Sequence, residues 1–232
     1  MKTLALVHGW GATGASWECL RESLGGSWRV EAPTLPEWRA EWLAQWLSSL
    51  PLPQTLAVGW SLGGVLLMEA VARWHLRPGA LVLMAVPAVF CRRPDFPWGQ
   101  PPGVVRAMRR ALAQDPDRVL ADFARRCLAP GEESFEAEVR RLFAAEQSPA
   151  HLAAGLDYLL ATDLRPWLGE ISVPVTLVQG EEDAIVPPSQ AAFLKDHLPL
   201  AELMLLPGAG HVPFLTQKAI VRQMLTDLGG VL

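Results

Sequence analysis

Three short segments of the chain carry residue types that could do hydrolytic chemistry. Gly59-Trp60-Ser61-Leu62-Gly63-Gly64 sets a serine between glycines, Gly180-Glu181-Glu182-Asp183-Ala184-Ile185-Val186-Pro187 offers three carboxylates, and Gly208-Ala209-Gly210-His211-Val212-Pro213 holds a histidine. A serine hydroxyl is a weak nucleophile until a base accepts its proton, and a carboxylate must keep that base in the right tautomer. The order serine, acid, histidine therefore assigns Ser61 as nucleophile, Asp183 as orienting acid and His211 as general base. Glu181 and Glu182 compete for the acid role. Asp183 is favoured because it lies furthest along its loop, just before the stretch that should anchor it.

Gly-x-Ser-x-Gly by itself could be a tight turn with a helix-capping serine. Its setting, between an apolar strand-like run and a helix-like run, is the one a nucleophile elbow requires. Glycines at 59 and 63 remove Cβ clashes and leave the hydroxyl exposed at the apex. The loop His8-Gly9-Trp10-Gly11 follows the first apolar run, so the backbone N–H groups of Trp10 and Leu62 are the expected oxyanion donors, worth ~3 kcal/mol each. His8 could be read as a base, but the work of its loop is done by backbone, and a role in fixing that loop is favoured. His75, His151 and His197 sit on expected helices without a motif and are read as structural or solvent-facing.

The elements that must position these groups alternate. Val/Leu/Ala-rich runs at 3–7, 55–58, 81–86, 175–179 and 202–206, with a weaker one at 28–31, predict strands buried on both faces of a parallel sheet. Helical spacing at 17–24, 38–50, 62–74, 190–197 and 217–228 predicts the helices covering it. The segment 92–165 breaks the rhythm, first Pro-rich and then helix-forming and Arg-rich, and reads as an inserted helical lid within a core of 1–91 and 166–232.

The 232 residues are 50% hydrophobic, enough for one main domain, and the net charge of −4 is dispersed, which gives nucleic acid no strong attraction. Cys19, Cys91 and Cys127 are odd in number and widely spaced, which argues against a disulfide framework or a zinc site and for reduced thiols in the cytoplasm. No signal-like segment leads the chain, and its longest apolar run, 80–89, falls short of the ~18 residues a membrane span needs. The Gly-rich segments match neither a P-loop nor a dinucleotide fingerprint, so the chemistry is expected to need neither metal nor cofactor.

Taken with Leu6-Val7-His8-Gly9-Trp10-Gly11 and Thr162-Asp163-Leu164-Arg165, these motifs resemble one branch of the α/β-hydrolase superfamily, the pimeloyl-[acyl-carrier-protein] methyl ester esterases of biotin biosynthesis. The resemblance runs over most of the chain and is loosest in 92–165. It implies an α/β-hydrolase fold, a small acyl ester as substrate, and a monomer that meets an acyl carrier protein. By position, Trp10, Trp60, Leu62 and the stretch 123–127, with Phe123 and Cys127, would contact the acyl group. Arg118 and Arg140 would face the acidic carrier. An ordinary solvated helix face is the alternative for those arginines, since Asp115, Asp117, Asp122, Glu132, Glu133, Glu136 and Glu138 share the segment. A general short-chain carboxylesterase or thioesterase would use the same triad, and a lyase or perhydrolase stays open. A ligand-binding protein without catalysis predicts loss of a triad member, whereas all three are present. A dehalogenase would need aspartate in place of Ser61.

Overall fold

The computed structural model describes residues 2–143 and 147–231. Six parallel strands, β1 (Thr3–Val7), β2 (Arg29–Glu31), β3 (Thr55–Trp60), β4 (Ala80–Met84), β5 (Val175–Gly180) and β6 (Ala201–Leu206), form one sheet in the order β2-β1-β3-β4-β5-β6. The side chains of β1, β3 and β4 are buried throughout, as continuous apolar runs in a doubly covered sheet must be. Two groups of helices supply the cover. α1 (Glu18–Leu24) packs on the last helix (Lys218–Val231), while α2 (Ala40–Ser48) packs on α3 (Leu62–Arg73), and α8 (Pro188–His197) lies on β5 and β6.

Three of the boundaries that differ from the expected ones have a local reason. The strand expected to stop at 58 runs on to Trp60, with Gly59 paired to Leu83 and Trp60 to Met84, because a glycine interrupts side-chain packing but not the ladder. The run expected to reach 86 stops at Met84, where Ala85 turns to φ 52°. The last helix passes through Gly229 to Val231, and a Cβ at 229 would fall 2.4 Å from Trp28 Cζ2, so this glycine serves close packing rather than a stop.

Between β4 and β5 the chain forms α4 (Pro102–Ala111), α5 (Pro116–Arg126), α6 (Glu136–Leu142) and α7 (Pro149–Ala161), with α4 packed on α7 and α5 on α6. Its return to the core is fixed by Arg165, which donates to Asp163 and Asp95. Indole N–H groups join it to the core: Trp10 donates to Leu152 O and Trp38 to His151 O, both at 2.8 Å. The Tyr158 hydroxyl on α7 donates to Glu69 on α3.

Candidate active site

β1 and β3 are neighbours, with β2 outside β1 and β4 outside β3, so the strand order reverses between them. Open α/β sheets bind ligands at the carboxyl ends of strands beside such a point. Ser61 leaves β3 there with φ 51° and ψ −124°, a strained conformation for a residue bearing a Cβ and typical of groups held for function. Close approach enforces the turn. A Cβ on Gly59 would lie 2.5 Å from Gly64 Cα, and one on Gly63 would lie 2.2 Å from His8 O.

His211 Nε2 lies 2.9 Å from Ser61 Oγ, and His211 Nδ1 lies 2.8 Å from Asp183 Oδ2. A carboxylate only accepts, so the proton sits on Nδ1 and Nε2 is left to accept from the serine hydroxyl. Asp183 Oδ1 accepts the N–H groups of Ile185 and Val186 at 2.8 and 2.9 Å, while Gln179 Nε2 donates to Oδ2 at 3.2 Å. Glu181 and Glu182 are exposed and Asp183 is buried. Of the three carboxylates in the loop, it is Asp183 that the fold brings against the imidazole.

The backbone N–H groups of Trp10 and Leu62 flank the elbow, and neither has an acceptor among the described residues. The Leu62 N–H opens α3, where intrahelical partners are lacking and the dipole favours negative charge. His8 is fully buried behind this loop. Its Nδ1–H donates to Gly9 O and its Nε2 accepts the Leu35 N–H, both at 2.9 Å, which fixes the loop in place. Burial brings its pKa down to about 4, so the ring is neutral at pH 7.

Ser61 opens onto an apolar cavity with about 430 Å³ of unfilled space, its open mouth included. Trp10, Phe90, Val105, Met108, Phe123, Leu156, Leu159 and Ile185 line it, and Gln100 and Arg126 add polar groups. Trp10 and Phe123 meet edge to face with centroids 5.1 Å apart. Three residues expected at the acyl group are not on this wall. Trp60 turns behind the histidine, where its indole N–H donates to His211 O at 2.8 Å. The Leu62 side chain is sealed in the core at the start of α3. Cys127, one helical turn past Phe123, is fully buried and is not part of the cavity lining; burial, and then the nearby Asp183 charge, push its thiol well up. Arg118 and Arg140 are exposed, and Arg118 lies 3.9 Å from Asp122.

Sequence reasoning missed Gln179 and Gln190, both buried. Gln190 accepts the Ala88 N–H and donates to Val89 O and Trp98 O, holding the chain where it leaves β4. It also missed Gln100 and Arg126, whose place on the cavity follows from packing between distant helices. Among the described residues no cluster of His, Cys, Asp and Glu could hold a metal ion, and no helix is long and apolar enough to cross a membrane.

A serine, a histidine and a carboxylate at the ends of β3, β6 and β5, on a parallel sheet, define the class, and the chain belongs to the alpha/beta hydrolase family, whose model matches residues 4–223. Within that family it is 34% identical to the pimeloyl-[acyl-carrier protein] methyl ester esterase of Nitrosomonas europaea over 92% of this chain and 90% of that one. It is 32% identical to the protein of the same name from Aromatoleum aromaticum, over 97% of each chain. Its fold is that of an esterase from Exiguobacterium antarcticum, with a TM-score of 0.89 at 19% identity over 99% of this chain and 92% of that one.

Proposed function

We propose that this chain is a serine carboxylesterase that removes the methyl ester from pimeloyl-[acyl-carrier-protein]. Ser61 Oγ attacks the ester carbonyl as His211 Nε2 takes its proton, and the Trp10 and Leu62 amides hold the oxyanion. Collapse expels methanol, which leaves with the proton from His211. Water, deprotonated by the same imidazole, then attacks the acyl-serine, and the free carboxylate departs as Ser61 regains its proton. Asp183 keeps Nδ1 protonated and stabilises the imidazolium.

The observation that carries the reaction type is the Ser61 hydroxyl on the wall of an apolar cavity with His211 2.9 Å away. The substrate rests on the named activity of relatives at 29–34% identity over nearly the full chain. In this reading 92–165 is a lid inserted between 1–91 and 166–232. The enzyme works as a cytoplasmic monomer, for which three free cysteines are suited to a reducing compartment.

The test compares hydrolysis of pimeloyl-carrier methyl ester with that of p-nitrophenyl acetate and butyrate, for wild type and Ser61→Ala. Preference for the carrier ester, abolished by the substitution, is expected. Ser61-dependent activity on small esters alone would reduce the reading to a general carboxylesterase, and activity surviving the substitution would overturn the mechanism.

A further inference from the structure

The backbone of the base is held from outside the sheet. The His211 N–H donates to Cys127 O at 2.8 Å, and the Gly210 N–H donates to Glu132 Oε2 at 3.1 Å. Both acceptors lie on the short strap joining α5 to α6. Glu132 Oε2 also accepts the Ala129 N–H at 2.9 Å, and the Glu132 N–H donates to Ala129 O at 3.0 Å, so one carboxylate oxygen closes the strap on itself and clamps it to the histidine loop. The two surfaces touch without slack. A Cβ on Gly210 would lie 2.5 Å from Cys127 O, 2.7 Å from Ala129 N and 2.9 Å from Glu132 Oε2.

Glu132 is 4% exposed, and its Oε1 has no hydrogen-bond partner among the described residues. Burying a carboxylate with one oxygen unsatisfied is costly, and a strap that only needed to turn could do so with a smaller polar group. A buried acid retained at such a cost points to a task at the loop it grips. That loop carries the imidazole, whose Nε2 must stay within reach of Ser61 Oγ while its Nδ1 stays on Asp183.

We propose that Glu132 is a positioning residue for His211, an acceptor through which the helical segment between β4 and β5 sets the base. The inference rests on the hydrolase reading of Ser61 and His211 and not on the identity of the ester. It makes alignment of the base conditional on the seating of that segment: if α5 and α6 lift, the Gly210 and His211 N–H groups lose their acceptors together.

The experiment measures Glu132→Ala, Glu132→Gln and Gly210→Ala against wild type and Ser61→Ala. Steady-state hydrolysis of p-nitrophenyl butyrate is read per active site, with sites counted by labelling of Ser61 with a fluorophosphonate, and thermal midpoints are recorded alongside. Misplacement of a reacting group by about 1 Å can cost on the order of a hundredfold, so Glu132→Ala is expected to lower kcat and the labelling rate by roughly ten- to a hundredfold with KM nearly unchanged. Glu132→Gln, whose amide oxygen can still accept from Gly210 and Ala129, is expected to recover most of that loss. Gly210→Ala approaches the same contact from the other side and is expected to lower kcat likewise, which keeps the test in force if Glu132→Ala does not fold. The proposal is overturned if the rate per site survives Glu132→Ala, if Glu132→Gln falls as far as alanine, or if Gly210→Ala leaves kcat intact. Failure of the hydrolase reading looks different: wild type and Ser61→Ala would then be equally inert toward both ester and fluorophosphonate.

Discussion

Gly155 on α7 lies directly against Trp10: a Cβ at 155 would fall 2.6 Å from Trp10 Cδ1 and 2.9 Å from Trp38 Nε1. The same indole donates to Leu152 O one turn earlier, so the helix above holds Trp10 along the pyrrole side of its ring. Since the backbone of Trp10 is the proposed oxyanion donor, the packing of α7 and the shape of the oxyanion loop are linked. Gly155→Val is expected to cost about 1–3 kcal/mol of stability by overpacking. It is also expected to lower kcat for every ester by shifting the Trp10 amide. Denaturant unfolding and steady-state kinetics check the two together; a variant with unchanged midpoint and kcat would show that the contact relaxes freely.

Asp183 accepts from His211 while its other oxygen is held by two backbone N–H groups. An asparagine there can keep the shape but can present an N–H to the imidazole, which favours the wrong tautomer. The expected loss in kcat for Asp183→Asn is on the order of 10⁴, the scale such tautomer errors reach. Glu181→Gln and Glu182→Gln, at exposed positions of the same loop, are expected to stay within about twofold of wild type, as surface changes away from the chemistry usually do.

The juxtaposition of Ser61, His211 and Asp183 was legible in the sequence because each sits in a glycine-bearing loop directly after an apolar strand. Such a group is placed by the sheet itself, and local pattern suffices to find it. Side-chain direction was less legible. Trp60, Leu62 and Cys127 adjoin residues that do face the cavity, but strand alternation turns Trp60 behind the histidine, helix α3 buries Leu62, and a helical turn carries Cys127 past the wall. Glu132 was hidden for another reason. In sequence it is one acid among eleven in 92–165, and the task proposed for it arises from a contact with Gly210, 78 residues away.

The buried His8 should make stability depend on pH. Its pKa is about 4 in the folded chain against 6.5 for the free group, because burial disfavours the charged ring. Between those values the unfolded chain binds the extra proton, so stability rises with pH across this window and is fully present above about 6.5. Acidification from 6.5 toward 4 is expected to remove on the order of 3 kcal/mol at this site. Urea unfolding of wild type and His8→Gln through that range checks it; the glutamine variant, which has no proton to gain, should show a flatter dependence, and parallel curves would exclude His8 as the source.

Among the described residues Arg126 is the one cation on the cavity lining, and it meets no carboxylate, only Gln100 Oε1 at 3.4 Å. An exposed charge at the mouth should favour acyl groups whose far end is anionic or strongly polar. Exposed pairs are worth up to ~1 kcal/mol, so Arg126→Ala is expected to lower kcat/KM for a dicarboxylic half ester by roughly two- to fivefold relative to a neutral ester of equal length. Rising salt should erode the preference in wild type and leave the variant unmoved. A preference that persists unchanged in Arg126→Ala would assign the selection to the apolar wall.

Arg118 and Arg140 lie outside the cavity, on the exposed faces of α5 and α6, and the chemistry does not need them. If these faces receive an acidic carrier, reversing both charges should act on encounter alone, because rim charges govern association more than the reacting geometry. Arg118→Glu with Arg140→Glu is therefore expected to raise KM for the carrier-linked ester several-fold at low salt, with kcat unchanged. Hydrolysis of p-nitrophenyl butyrate should be untouched, since that ester reaches Ser61 without crossing either helix face. Arg118 is already shared with Asp122, which spreads its charge and makes Arg140 the larger contributor of the two. Equal KM values for double variant and wild type on the carrier ester would mean that these arginines belong to an ordinary solvated surface and that the carrier approaches from elsewhere.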